Sequence, residues 1–358
     1  MFAQVHCPET LGPEELDTYL EKGWFRMGQT IFTTNFLNFK NQFYSAVWLR
    51  VSLAGFSTGR TQQKLIKLNA GFRTVIQQAT ITPEKEALFA NYKRDISFEA
   101  SSSLNHLLFG KSARTIYNTH EVNVFDADTL IATGFFDIGA TSAAGITCFY
   151  DPAYKKYSLG KYLIYLKMDY CKKLALQYFY PGYFVPGYSF FDYKLSIGKP
   201  ALQYLQLSSQ RWLPISSFSE PLSPLQIMHE RLVELQLLLR QSKIESKLLK
   251  YEFFDANLIP DLSGAELFDF PLFLCFSGSA EENPNQVIVY DVCDQHYHLM
   301  KCRGVWKTNS TSNISEIYSS HVLKTEQGSF STETAEKLVV VILMEMKLQT
   351  QVINGQTT

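Results

Sequence analysis

The sequence is most informative over residues 146–185, which read ITCFYDPAYKKYSLGKYLIYLKMDYCKKLALQYFYPGYFV. An apolar strand ends at Tyr150, and a short loop then leads to Ser158 at the start of an amphipathic segment. The spacing of its apolar residues predicts a helix over 158–175 with Ser158 as its N-cap, followed by a second aromatic strand. The N–H groups of the first helical turn would face the strand ends, where they suit a phosphate or a polarised carbonyl.

Five motifs in a fixed order resemble one known family. They are GWFRMG at 23–28, a basic segment at 56–69, TLIATGFFD at 129–137 with Ser142 after it, FYDP at 149–152 with SLG at 158–160, and PGYFVPG at 181–187 followed by Tyr193 and Lys194. Over roughly residues 7–215, this order resembles the aminoacyl-tRNA-protein transferases, the arginyl and leucyl transferases of the N-degron pathway.

The resemblance implies an α+β fold of the N-acetyltransferase (GNAT-like) type, a mixed sheet with flanking helices. We expect an N-terminal α/β domain at 1–115, an acyltransferase-like catalytic domain at 116–215 and an acidic C-terminal extension at 216–358. Strands are predicted near 120–125, 129–138, 145–150 and 178–185. In the extension, apolar spacing from Met228 to Leu249 predicts one long helix, with strands following at 268–276, 287–291 and 296–302 and a turn at 283–285.

The resemblance also implies a reaction: transfer of arginine or leucine from aminoacyl-tRNA to the N-terminal amine of an acceptor protein. The backbone from Ser158 onward would lie near the reacting 3′ end, and Tyr150 and Tyr183 would bind the terminal ribose or base. Asp137 or Asp151 would orient the attacking ammonium or accept its proton. The implied catalytic residues are Tyr150, Asp151, Asp137, Ser158 and Gly160.

An acceptor that begins with Asp or Glu needs a cation for its side chain. The resemblance assigns this to Lys194, with Arg26 or Arg60 helping. The implied substrate-binding residues are Lys194, Tyr193, Tyr183, Arg26 and Ser142. Which amino acid is carried stays open at this point.

Charge is distributed unevenly along the chain. Residues 1–215 hold 22 Lys and Arg against 16 Asp and Glu, whereas residues 216–358 hold 11 against 18. No acidic residue occurs between residues 40 and 82, where a basic helix is predicted over 60–69. Such a local excess favours a phosphate backbone, although a solvated helix face is the simpler alternative. The predicted tRNA-binding residues are Arg60, Lys64, Lys67 and Lys161.

The family's N-terminal domain normally carries paired cysteines that hold zinc or an iron-sulfur cluster. In this chain, residues 43–46 read FYSA at one such position before Arg50, and only Cys7 could match a family cysteine. We therefore expect no metal and no cofactor, since soft thiolate ligands are missing. Aromatic packing would hold the domain instead, through Phe32, Phe36, Phe39, Phe43 and Trp48.

A possible metal site in the extension is formed by Cys293, His296, His298 and Cys302. Two thiols and two imidazoles within ten residues could bind zinc. A hairpin strand with His296 and His298 on one face explains them equally well. Structural zinc sites also usually separate their two ligand pairs by a longer loop.

Two other classes of function remain open. A coenzyme-A-dependent N-acetyltransferase would share the strand-helix-strand core, but residues 156–161 (KYSLGK) offer a single glycine for wrapping a pyrophosphate. A non-catalytic tRNA- or peptide-binding adaptor is the second alternative. The chain shows no secretory leader, no apolar run long enough for a bilayer and six scattered cysteines, so we expect a cytoplasmic monomer that does not bind membranes.

Overall fold

The structure is a computed structural model, and it describes residues 1–96, 101–112, 114–276, 285–309 and 316–355. Within these ranges, no helix combines the length and the apolar character needed to cross a bilayer.

The first part of the chain consists mainly of short strands. Its elements are β1 (Ala3–His6), α1 (Pro13–Glu21), β2 (Phe25–Met27), β3 (Thr30–Thr34), β4 (Phe36–Phe39), β5 (Gln42–Ser45), β6 (Val47–Ser52), α2 (Arg60–Leu68), β7 (Arg73–Gln78), α3 (Pro83–Asp95) and α4 (Leu104–Phe109). The start of α3 follows from its sequence, because the Thr82 hydroxyl accepts the Lys85 N–H at 3.3 Å and Pro83 suits the first turn. The predicted basic helix is confirmed as α2.

The central part contains the predicted strand-helix-strand unit. Its elements are β8 (Thr119–Asp126), β9 (Thr129–Ile138), β10 (Ser142–Tyr150), α5 (Leu159–Lys173), β11 (Tyr178–Phe184), β12 (Leu202–Gln206) and β13 (Arg211–Pro214). They join β6 and β7 in an eight-stranded sheet of order β13-β12-β6-β11-β10-β9-β8-β7, in which only β10 and β11 are parallel. The expected α+β fold, a mixed sheet with flanking helices, is confirmed. This sheet takes β6 and β7 from before residue 116, so it crosses the boundary predicted there. The division of the chain into domains remains a prediction.

The C-terminal part is a second α/β layer. Its elements are α6 (Pro224–Gln241), β14 (Ser246–Tyr251), β15 (Leu272–Phe276), β16 (Gln286–Asp291), β17 (His296–Lys307), β18 (Ile317–Tyr318), β19 (His321–Thr332) and α7 (Ala335–Gly355). The strands form a six-stranded sheet of order β18-β14-β15-β16-β17-β19.

Two local predictions for this part were wrong. The helix does not continue to Leu249: it ends at Gln241, Lys243 adopts a left-handed φ of 62°, and Leu248 and Leu249 belong to β14. By coincidence, the apolar residues of β14 fall at the helical spacing of those in α6. The strand predicted from residue 268 begins only after Pro271, which has no N–H to donate to a ladder. Residues 283 and 284 of the predicted turn lie outside the described residues.

The aromatic residues expected to hold the N-terminal domain are divided between separate clusters. Phe36 and Phe43 pack into the core of the C-terminal layer. Trp48 stacks on Phe25 with 4.4 Å between ring centroids, in a second core, and Phe32 packs against the same core. The aromatic side chains therefore connect the N-terminal strands to both neighbouring layers.

Candidate active site

The sheet opens where β10 and β11 separate. These strands pair only through Ser142, Ala143 and Ala144, which lie opposite residues 178–180. Beyond that point the register of β10 against β9 shifts between Gly145 and Thr147, and that of β11 against β6 shifts between Phe179 and Gly182. The two strands therefore diverge toward their C-terminal ends. We call the space between residues 145–150 and 181–184 the strand-end cleft.

Helix α5 begins at the edge of this cleft. Ser158 occupies the N-cap position, as predicted, but it is left-handed (φ 52°, ψ 43°) and its side chain caps no N–H group. The predicted side-chain capping is therefore wrong, since this backbone conformation differs from the extended one in which a serine hydroxyl reaches the first turn. The Ser158 carbonyl accepts the Tyr162 N–H at 3.1 Å. A Cβ on Gly160 would lie 3.5 Å from Cε1 of Tyr150, so the first turn of α5 and the end of β10 are close neighbours.

Asp151 stands directly after β10. Its Oδ1 accepts the Ala153 N–H at 3.0 Å and so caps the 3₁₀ helix Pro152–Tyr157, and it also lies 3.4 Å from Nδ2 of Asn91. The Tyr150 ring packs against Tyr92 of α3, with 5.4 Å between centroids. Tyr150, Asp151, Ser158 and Gly160 are thus brought together, as the sequence motifs predicted.

Lys194 enters the cleft from the other strand. It lies on the 3₁₀ helix Ser189–Ser196 after β11, and its Nζ donates to the Tyr183 carbonyl at 2.8 Å. The rings of Tyr183 and Phe191 flank the amine at 5.3 and 5.1 Å. Gly182, with φ 88°, lets the amine approach the backbone, because a Cβ there would be 3.1 Å from Nζ.

The environment of Lys194 disfavours its charge. The residue is partly exposed along its stem, but its ammonium group is enclosed, and this burial lowers the pKa of Lys194 to about 7, with the nearby Cys148 thiol acting weakly in the opposite direction. Among the residues that the structure describes, no carboxylate forms an ion pair with it.

Tyrosine hydroxyls complete the lining of the cleft. Burial raises the pKa of Tyr183 and of Tyr92 to about 12. Tyr193 exposes 41% of its surface, yet its hydroxyl is enclosed, and this burial raises its pKa as well. These hydroxyls stay protonated at neutral pH, where each can donate or accept a hydrogen bond.

Arg26 and Asp137 lie elsewhere. Arg26 Nη1 is 2.9 Å from Asp137 Oδ1, and the exposed fractions of the two side chains are only 5% and 1%. Arg26 also donates to the Gly28 and Leu108 carbonyls and to Thr119 Oγ1, and burial raises the pKa of Asp137. Asp137 is opposite Ala144. Tyr150 follows six residues later on β10, which corresponds to about 20 Å.

Ser142 is also at the far end of β10. Its hydroxyl donates to Oδ1 of Asp17 at 2.5 Å, while the N–H and hydroxyl of Thr141 donate to the other oxygen of the same carboxylate at 2.7 and 2.8 Å. This contact attaches α1 to the β9–β10 turn. The fold therefore separates Ser142, Arg26 and Asp137 from the residues of the strand-end cleft.

The basic helix lies beside the cleft. Arg60, Lys64 and Lys67 are exposed on α2, and Lys161 is partly exposed in the first turn of α5. Asn69, directly after α2, donates from Nδ2 to the Tyr157 carbonyl at 3.1 Å. That bond holds α2 against the segment that leads into α5, so the four predicted tRNA-binding residues share one region.

Sequence reasoning missed Lys167, Cys148 and Tyr92. Lys167 is 1% exposed, and its Nζ lies 3.3 Å from Sγ of Cys148 on the wall of the cleft. A signal for Lys167 was available: it falls four residues after Leu163, on the apolar face of the helix. Tyr92 reaches the cleft from α3, and nothing local in the sequence connects it to Tyr150.

The possible C-terminal metal ligands do not converge in the part of the chain that the structure describes. Burial raises the pKa values of the Cys293 and Cys302 thiols to about 12, which opposes thiolate ligation. His298 Nε2 lies 2.9 Å from Oδ2 of Asp294. The group that does come together there is Asp291, Asp294 and His298, with ligand atoms within 4.8 Å.

A separate cavity lies outside the strand-end cleft. Among the described residues, a cavity of about 70 Å³ lies between the N-terminal strands, the central sheet and the C-terminal layer, with Asn35, Trp48, Tyr204 and Val292 in its lining. None of the predicted site residues lines it.

Comparison with known proteins extends these observations. Residues 84–203 match the family described as "Arginine-tRNA-protein transferase, C terminus". An aspartate/glutamate leucyltransferase of Leptospira interrogans is 26% identical over 218 residues, which are 60% of this chain and 83% of that protein. Proteins of the same description from Campylobacter jejuni (24%; 53% of this chain, 78% of theirs) and Vibrio cholerae (24%; 57% and 85%) are also similar.

Two solved structures show a partial likeness to this chain. L-PGS from Bacillus licheniformis aligns with a TM-score of 0.31 at 14% identity, over 51% of this chain and 55% of that one. A GCN5-related N-acetyltransferase from Kribbella flavida aligns with a TM-score of 0.25 at 13% identity, over 40% and 49%.

Proposed function

We propose that this chain, a member of the aminoacyl-tRNA-protein transferase family, transfers leucine from leucyl-tRNA to the N-terminal amine of proteins that begin with Asp or Glu. The family match covers the strand-end cleft, including Tyr150, Ser158 and Lys194. The three relatives are described as aspartate/glutamate leucyltransferases, which supports both leucine as the transferred residue and an acidic acceptor.

The observation that carries the proposal is the enclosed amine of Lys194. It has a carbonyl acceptor and aromatic neighbours but no counter-ion among the described residues. The side-chain carboxylate of an N-terminal Asp or Glu would supply that counter-ion, and its charge-assisted hydrogen bond would be strong in this partly dry site. An acidic acceptor therefore fits the cleft better than its amide counterpart.

The reaction needs alignment more than a strong nucleophile. The acceptor amine forms a C–N bond with the ester carbonyl of the aminoacyl-tRNA, the ester C–O bond breaks, and the amine proton finally passes to the 3′ oxygen of the released tRNA. The N–H groups at Leu159, Gly160 and Lys161, on the positive pole of α5, would stabilise the oxyanion. Asp151, at the end of β10, is the better placed of the two predicted carboxylates to accept the proton, because Asp137 is paired with Arg26.

The lining of the cleft favours leucine over arginine. A transferred arginine needs a carboxylate for its guanidinium. The groups that line the cleft include tyrosine rings, the Cys148 thiol and the amine of Lys194, and we assign Asp151 at its edge to the proton transfer rather than to the transferred side chain. Apolar and aromatic walls suit a branched aliphatic side chain, and a nearby cation opposes arginine.

The tRNA would approach over α2. Arg60, Lys64 and Lys67 form an exposed basic face next to the start of α5, so the phosphate backbone can be held while the 3′ end reaches the cleft.

A direct transfer assay tests the proposal. Purified protein is mixed with radiolabelled leucyl-tRNA, arginyl-tRNA or acetyl-coenzyme A, and with peptides that begin with Asp, Glu, Asn or Lys. We expect label to move from leucyl-tRNA to the Asp and Glu peptides. Labelling from arginyl-tRNA alone would change the assigned donor, labelling from acetyl-coenzyme A would indicate an acetyltransferase, and tRNA binding without transfer would indicate an adaptor.

A further inference from the structure

Lys167 of α5 is enclosed between the helix and the sheet. Its Nζ donates to the Phe135 carbonyl at 2.7 Å and the Thr147 carbonyl at 2.9 Å, and it lies 3.3 Å from Sγ of Cys148. Three acceptors match the three N–H bonds of an ammonium group. The two carbonyls belong to different strands, so one side chain joins β9 to β10.

These carbonyls lie at the irregularity that precedes the cleft. Gly145 is opposite Phe136 and Thr147 is opposite Phe135, so Ile146 is the extra residue of a β-bulge. A bulge interrupts the ladder and leaves backbone groups in need of partners. The pairing of β10 with β11 stops at Ala144, directly before this bulge.

Gly134 leaves the space that Lys167 needs. A Cβ at Gly134 would lie 2.8 Å from Cε and 3.0 Å from Nζ of Lys167, so the end of the lysine side chain would have to move. The glycine on β9 therefore makes room for the lysine on α5.

We propose that Lys167 is a positioning residue: by bonding carbonyls on both sides of the bulge, it sets the direction in which β10 leaves β11 and so places Cys148 and Tyr150 along the strand-end cleft. The proposal rests on the proposed transfer reaction for its catalytic consequence, but its effect on the bulge does not depend on that reaction.

Stability alone does not explain a lysine here. Enclosing an ammonium group is costly, and burial lowers the pKa of Lys167 accordingly, while the Cys148 thiol acts in the opposite direction. A methionine of similar length would fill the same space without this penalty. The amine therefore fixes the geometry of the bulge and does not add stability to the core.

The test uses Lys167→Met, with Lys172→Met as the matched control. Lys172 lies on the same helix and also donates to a backbone carbonyl, that of Phe56 at 2.9 Å, but away from the bulge. For Lys167→Met we expect a melting temperature close to that of the wild type, because relief of the buried ammonium offsets the two carbonyls that lose their donor, together with unchanged tRNA affinity and faster hydrogen exchange over residues 145–150. The single-turnover transfer rate should fall by about ten- to hundredfold, as expected for a displaced reacting group. The control should match the wild type in all four measurements.

Gly134→Ala provides a second variant that keeps every charge. Its new methyl group should displace the Lys167 amine and reproduce the faster exchange and the slower transfer. Unchanged exchange over residues 145–150 in both variants would overturn the proposal, as would a lower melting temperature that accompanies all other losses. If the wild type transfers no amino acid, the proposed function fails, and the exchange measurement alone still decides the role of Lys167.

Discussion

The protonation of Lys194 should make the recognition of acidic acceptors depend on pH. Burial lowers the pKa of this lysine to about 7 in the empty cleft. A carboxylate binds the protonated form, so affinity for an Asp-starting peptide is complete only well below pH 7. As pH rises through 7, the empty site loses its proton, and binding then has to take a proton up again. Affinity should therefore fall with rising pH.

The expected size follows from the titration. With a pKa near 7, roughly half of the Lys194 amines are protonated at pH 7, about a tenth at pH 8 and about a hundredth at pH 9. The Asp-to-Asn ratio of specificity constants should thus fall about fivefold between pH 7 and 8 and roughly tenfold more by pH 9. The limit is the full value of the contact, about 1.5–3 kcal/mol for a hydrogen bond to a charged group.

The assay compares two peptides that differ only in the side-chain carboxylate. Specificity constants are measured from pH 6 to 9 for an Asp-starting peptide and its Asn-starting isostere. The α-amine titrates in both, so the ratio isolates the side chain. Lys194→Met should remove both the preference for Asp and its pH dependence, whereas Lys199→Met, an exposed lysine on the following 3₁₀ helix, should change neither. Lys194→Arg should keep part of the preference but lose the pH dependence, because arginine stays charged.

A constant Asp-to-Asn ratio across this pH range in the wild type would contradict the titration of Lys194 in acceptor binding, since it would mean that the amine either stays charged or does not meet the carboxylate. A Lys194→Met variant that retains the preference would place the acidic side chain elsewhere.

Three further predictions concern other parts of the molecule. Changing Arg60, Lys64 and Lys67 together to alanine should weaken tRNA binding and reduce the slope of log affinity against log salt by about 2–3, because fewer counterions are released; an unchanged slope would remove α2 from the interface. Arg26→Met should cost about 3–5 kcal/mol in urea denaturation, because it leaves Asp137 buried without its partner; a loss below about 1 kcal/mol would contradict this. Chelators should leave transfer intact, and elemental analysis should find less than one equivalent of zinc or iron.

Local structure was largely determined by the sequence. The strand, helix and strand of β10, α5 and β11 were predicted with bounds close to those observed, and so was α2. The start of α3 also follows from local signals. Each depends on signals within a few residues, such as apolar spacing, a proline in the first turn or a threonine cap. Charge likewise predicted the exposed basic face of α2. The order of the motifs along the chain was enough to indicate a resemblance to the family whose model matches residues 84–203.

Local signals failed to predict where α6 ends and how Ser158 caps α5. The apolar spacing of α6 continued by coincidence into β14, so the helix was predicted too long. Ser158 has a residue type that suits an N-cap, but its left-handed backbone directs the hydroxyl away from that role. Neither result follows from residue types alone, because both depend on what the neighbouring chain packs against.

Which residues meet was decided only by the tertiary structure. Arg26 and Asp137 are separated by 111 positions in the chain and form one buried ion pair, whereas Tyr150 and Asp137 belong to adjacent motifs and lie at different ends of the sheet. Lys167 meets two strands because the bulge in β10 and the bare backbone of Gly134 make room for its amine. Periodicity places a side chain on a face of its own element. The distance between two elements depends on strand order and register, which are set by the packing of the whole sheet.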